Sequence, residues 1–294
     1  MTFRESTFEA GSLRDVLKRG TKDIHSVADS LFTDELVKKK ISVKTYREFL
    51  SQLYFLYCAM EEGLDRNKEH FLVGPVHFPD ELNRKANLER DLEYLYGESW
   101  ETDIKCLPAT EAYVQRIKEI ASSDAPERLI SHAYVRYLGD VSGGQILKKI
   151  IRRMYSFPED GSGIRFYEFA NISEIPKFKE FYNIRMNALE VDDEGRQRLL
   201  DEAKVAYENN IAIFRAIVTL AKTRPDGYMQ DTGEATKIQG CKATARDLDT
   251  GAKCPVHIDL SAAKRNAAMF AVTSASTIAV VFAVMLNYCP WARS

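Results

Sequence analysis

The sequence predicts an all-α protein: a single helical domain, then a flexible polar linker and an apolar C-terminal helix. Three observations carry that reading. Apolar residues recur every three to four positions over most of residues 10–225, the period of a helix with one buried face. The two-residue alternation of half-buried strands is nearly absent there. Near the end of the chain, residues 266–286 (NAAMFAVTSASTIAVVFAVML) carry no charged side chain at all.

Taken in order, Ser12 can cap a first helix whose apolar positions are Leu13, Val16, Leu17, Ile24, Val27, Ala28 and Leu31. Residues 46–64 form a second, aromatic-rich helix, and 82–96 and 109–120 read as amphipathic ones. Residues 129–155 form a longer helix interrupted by glycines, and 196–223 carry Leu199, Leu200, Ala203, Ala206, Tyr207, Ile211, Phe214, Ile217 and Leu220. The domain is therefore placed at 1–225. Residues 226–265 lack apolar periodicity and scatter Gly, Thr, Asp and Lys, which reads as a linker. A helix of about 20 residues spans the roughly 30 Å hydrocarbon core of a bilayer. The run 266–286 is thus expected to be a transmembrane tail anchor, with 287–294 as a short lumenal tail. A buried core helix is the competing reading, but core helices rarely run so long without a charge. Lys264 and Arg265 before the span, against a lone Arg293 after it, favour a cytosolic domain. Arg4, Glu5, Glu9 and Arg14 exclude a signal peptide.

Composition narrows the function. The chain has 294 residues, 45% hydrophobic, with 41 Lys+Arg against 43 Asp+Glu, so it lacks the basic footprint of a nucleic-acid binder. Five dispersed cysteines make no disulfide framework and point to a reducing compartment. Cys58 and Cys106 are expected in the core, and His70, His77 and His132 lack metal-ligand spacing.

Two constellations could carry chemistry. On the first helix Lys18, Lys22 and His25 stand at i, i+4 and i+7, one face. A neutral imidazole is a common axial ligand of heme iron, and the ammonium groups could pair with its propionates. From spacing alone a solvated basic face with an incidental histidine is the favoured reading. In the second, Leu138-Gly139-Asp140-Val141-Ser142-Gly143-Gly144-Gln145, three glycines fall within six positions. Each costs about 1 kcal/mol in a helix relative to alanine. Gly139 and Gly143, one turn apart, would bare a backbone strip on which a flat ligand could rest, with Asp140 beside it. A Ser-Gly-Gly break between two helices is the open alternative. The dinucleotide fingerprint fails on glycine spacing.

The run YVRYLGDVSGGQILKKI, with TKDIHS upstream and FKEFYNIRMNALE downstream, closely resembles the heme oxygenases over about residues 10–222. The resemblance implies their helical fold. It implies His25 as the axial iron ligand and Gly139, Asp140, Gly143 and Gly144 as the distal helix. Tyr57, Arg136 and Asn210 match the distal polar network, and Phe214 an apolar wall. Lys18, Lys22, Tyr134 and Lys179 match positions near the propionates. Where the family usually has Arg, one turn after Lys179, this chain has Asn183, so a neutral amide replaces a bidentate cation. Arg185 lies on a different face. Cys254-Pro255 and Cys289-Pro290 resemble heme-regulatory pairs of the family's constitutive isoform, with Cys254 the candidate thiolate ligand.

The implied activity is oxidative opening of heme b, both substrate and cofactor, at a meso carbon. The products are biliverdin, carbon monoxide and ferrous iron, made with O2 and electrons from NADPH through cytochrome P450 reductase. Asp140, through ordered water, is the implied proton relay. Implied partners are that reductase, biliverdin reductase and the endoplasmic reticulum membrane. The rival classes are a non-catalytic, membrane-anchored heme sensor or carrier, and a tail-anchored interaction protein. The latter would need heptads next to the anchor, where the chain is a polar linker.

Overall fold

Ser12 begins the fold as expected, its Oγ accepting a hydrogen bond from the Asp15 amide at 3.3 Å. The fold is that of a computed structural model, which describes residues 11–230. The 266–286 span, the 287–294 tail, Cys254, Cys289 and all but the first residues of the linker lie outside the described residues. Among the described residues no helix is long and apolar enough to cross a membrane.

The expected first helix is two, α1 (Leu13–Gly20) and α2 (Lys22–Leu31). Thr21 causes the break: it is buried, its hydroxyl donates to the Leu17 carbonyl at 2.8 Å, and its ψ of 2° leaves the helical region. Lys18 is therefore on α1, while Lys22 and His25 are on α2. A π-helical turn (Phe32–Lys38) leads to α3 (Val43–Arg66), capped by the Ser42 hydroxyl. The helix expected over 82–96 is also divided, into α4 (Pro79–Leu82) and α5 (Lys85–Tyr96). Glu61 of α3 explains that start, since its buried carboxylate accepts the amides of Arg84 at 2.5 Å and Lys85 at 3.3 Å. Then follow α6 (Trp100–Asp103), α7 (Pro108–Ala121) and α8 (Leu129–Tyr155). The three glycines do not interrupt α8, which runs unbroken for 27 residues. The chain closes with α9 (Ile175–Asn187) and α10 (Asp193–Thr223).

The long helices α3 and α10 form the centre: α3 packs on α5, α7 and α8, and α10 on α2, α7 and α8. Among the described residues the one β-type pairing is the bridge of Ile41 with Tyr228, flanked by the Met229 amide on the Lys40 carbonyl at 2.8 Å. Cys58 is half-buried; Cys106, expected in the core, is exposed in the turn before α7. His132 has the structural role its spacing suggested. Fully buried on α8, it meets Tyr113 of α7 at 3.1 Å and Glu202 of α10 at 3.0 Å.

Arg116 adds two bonds to Glu202, at 3.1 and 2.5 Å. Burial works to raise the Glu202 pKa, but the His132 and Arg116 bonds outweigh it and hold the carboxyl at about 2. That lies below its unfolded value, so the stabilisation is full above pH ~4.5 and is lost as pH falls toward ~2. Glu202→Gln should cost roughly 2–3 kcal/mol at pH 7. Urea unfolding should show the gap to wild type closing through that acid window; a constant gap would mean the carboxylate charge is not what joins the helices.

Candidate active site

Helix α8 places Arg136 and Asp140 one turn apart on its buried side. The Arg136 guanidinium donates through Nε to the Tyr57 hydroxyl at 3.2 Å, through Nη1 to Asn210 Oδ1 at 3.1 Å and through Nη2 to Asp140 Oδ1 at 3.3 Å. Tyr57 in turn donates its O–H to Asp140 Oδ2. Three helices thus meet in one polar network, since Tyr57 comes from α3 and Asn210 from α10. Burial pushes the Asp140 carboxyl above the usual carboxylate range, and Arg136 and the Tyr57 hydroxyl pull it part of the way back.

The glycines differ in what a side chain would meet. A Cβ on Gly139 or Gly143 would have nothing within 4 Å. A Cβ on Gly144 would stand 3.3 Å from the Tyr167 ring. Gly139 and Gly143 are bare because they border a cleft; Gly144 is bare because another chain segment comes close. The cleft opens to solvent and is lined by residues of α2, α3, α8 and α10.

His25 lines the same cleft from α2. Its Nδ1 lies 3.3 Å from Asp29 Oδ2, one turn on, and Tyr207 of α10 packs edge-on to the imidazole at 5.6 Å between ring centroids. Nδ1 thus stands beside a carboxylate, and Nε2 is the other ring nitrogen able to act as a ligand. Phe32, Phe49 and Phe214 close one side as a cluster with centroids 5.2–6.0 Å apart. One nitrogen donor, a side-chain-free strip and aromatic edges fit a flat apolar ring whose metal accepts an axial imidazole. Among the described residues no group of three or more His, Cys, Asp or Glu stands together to hold a bare ion.

The residues matched to propionate positions stand outside the cleft wall. Lys18 is on α1, Tyr134 on α8, and Lys179 and Asn183 on α9, three helices that pack together, while Lys22 is exposed on α2. Asn183 Oδ1 is buried without a hydrogen-bond partner. Arg185 does not stand in for the missing cation, because its Nε donates to the Pro75 carbonyl at 2.9 Å.

Sequence reasoning missed several participants. Asp29 was legible, four residues after His25 on the same helix, yet it fitted a solvated face equally well. Phe166 and Tyr167, which back the cleft, lie in a segment without periodicity and gave no signal.

The fold and cleft define an all-α protein built to hold a flat, iron-bearing ring between a histidine and a bare helix face. The comparisons agree. The heme oxygenase family model matches residues 12–216, so the chain belongs to the heme oxygenase family. It is 43% identical to heme oxygenase 1 of Gallus gallus, over 74% of this chain and 73% of that protein. It is 36% identical to heme oxygenase 2 of Macaca fascicularis, over 94% of this chain and 90% of that protein. Among solved structures, heme oxygenase-1 of Synechocystis in complex with heme superposes with a TM-score of 0.68 at 39% identity, covering 72% and 96% of the two chains. Heme oxygenase from Leptospira interrogans gives 0.67 at 41%, covering 70% and 100%.

The two classes of glycine are separable by experiment. Gly139→Ala and Gly143→Ala should each raise apoprotein stability by about 0.5–1 kcal/mol, the helix-propensity gain, while weakening heme binding. Gly144→Ala should lower apoprotein stability. Thermal melts and heme titration of the three variants check this; destabilisation by the first two would mean the strip is packed rather than open.

Proposed function

We propose that the chain opens heme at a meso carbon to biliverdin, carbon monoxide and ferrous iron, in the cleft between α2 and α8. The observation that carries this reading is the placement of His25 and the bare Gly139–Gly143 strip on one cleft, with the Asp140 network beside it. Heme, when bound, supplies both the iron at which O2 is reduced and the ring carbon that is oxidised. The electrons come from NADPH through a cytochrome P450 reductase, and biliverdin reductase would take up the product.

His25 would hold the heme iron through Nε2, with the Asp29 carboxylate 3.3 Å from Nδ1 favouring the tautomer that leaves Nε2 unprotonated. The strip at Gly139 and Gly143 admits O2 without a side chain in its way. Asp140 is the proton relay. Tyr57 and Arg136 each hold one of its oxygens, and the lone pairs that remain can orient a water in the cleft. Asn210 completes the set by fixing the far end of Arg136. Lys18, Tyr134 and Lys179 would meet the propionates at the α1–α8–α9 end with Lys22 alongside on α2, and Asn183 leaves that grip a cation short. The uncharged run 266–286, preceded by Lys264 and Arg265, supports anchorage in the endoplasmic reticulum membrane with the catalytic domain in the cytosol.

Asp140→Ala should bind heme within a few-fold of wild type yet form biliverdin more slowly, by on the order of 100-fold. Undiminished biliverdin formation would sink the relay role. Asn183→Arg should tighten heme binding by about 1–3 kcal/mol, read as slower transfer of heme to a scavenging apoglobin. An unchanged transfer rate would show that other cations already hold the carboxylates.

A further inference from the structure

Between the end of α8 and the start of α9 the chain passes behind the cleft as a strap, residues 163–169. Three side chains, Arg84 just before α5 and Asn87 and Asp91 within it, hold the strap by its backbone. Asp91 accepts the amides of Arg165 at 2.9 Å and Phe166 at 2.8 Å. Asn87 donates to the carbonyls of Arg165 at 2.9 Å and Glu168 at 3.1 Å. The buried Arg84 guanidinium donates to the carbonyls of Glu168 and Phe166. The strap is therefore a fixed surface, not a loose loop.

Two side chains join it to α8, Gln145 beside the glycines and Lys148 one turn further. Gln145 Nε2 lies 3.0 Å from the Tyr167 carbonyl and 3.4 Å from the carbonyl of Asp140. Both partners are acceptors and a carboxamide NH2 has two hydrogens, so the orientation of the amide is forced. One turn further, Lys148 Nζ meets Glu168 Oε1 at 3.0 Å, but that pair is about a third exposed and worth little. Upstream of the glycines α8 is held by the Arg136 network. Further downstream α8 is held by buried Ile151 and Tyr155, whose hydroxyl donates to the Ile41 carbonyl at 2.7 Å, so Gln145 is the tie nearest the three glycines.

We propose that Gln145 is a positioning residue of the reaction: by tying the Asp140 carbonyl to the strap it sets the height of the Gly139–Gly144 backbone and the Asp140 carboxylate over the substrate. The proposal rests on Asp140 as the proton relay, so Asp140→Ala is measured alongside. Gln145→Met keeps the shape and removes both donors; Gln145→Lys keeps donors. In the full-length apoprotein, Gln145→Met should speed amide exchange at 139–145 and 165–168 about tenfold and leave α3 unchanged. In the ferric heme complex it should move the midpoint of the pH-dependent visible spectrum by about half a unit, in the direction that Asp140→Ala moves it. Gln145→Lys should stay nearer wild type in both.

If Gln145→Met matches wild type in exchange and midpoint while Asp140→Ala shifts the midpoint, the proposal is overturned and the relay assignment stands. If Asp140→Ala leaves the midpoint in place, the relay assignment fails and takes the proposal with it.

Discussion

The site depends on one buried guanidinium. Arg136 sits almost out of reach of solvent, where an unpaired charge would cost several kcal/mol, and its donors go to a phenol, an amide oxygen and a carboxylate from three helices. Each partner is buried in turn, so none can be removed without stranding another. This closed network lets a buried carboxylate stand at the wall of a largely apolar cleft. It also orients α8 relative to α3 and α10 at the turn where the glycines begin.

The two walls of the cleft are built to different standards. The distal wall is buried, cross-bonded and backed by the strap. The proximal histidine is half exposed on a short helix, and its contacts are one carboxylate and the edge of Tyr207.

Much of this was legible in the sequence, for identifiable reasons. Helices α3, α7 and α10 follow from apolar spacing, and α8 from its long apolar run, buried at every position from Leu129 to Leu138. The first helix was misjudged as unbroken because Thr21 keeps the apolar rhythm while its ψ departs from it. The division near residue 83 was invisible because its cause, the Glu61 carboxylate, lies on another helix. In the site, the glycine trio and Asp140 stood out as a local conflict of propensity. Tyr57, Arg136 and Asn210 have no mutual spacing and were reached only through family resemblance. The strap, tied by backbone groups to α5, leaves no periodic trace.

The glycines of α8 also keep a record of what has shaped this chain. Gly144 answers to the fold, because Tyr167 lies against it. Gly139 and Gly143 answer only to whatever occupies the cleft, and in its absence they burden the helix. A descendant released from heme turnover would be free to drift to alanine at those two positions while keeping the third. The pattern of glycine loss along this helix would then distinguish a lineage that had given up its chemistry from one that had merely modified it.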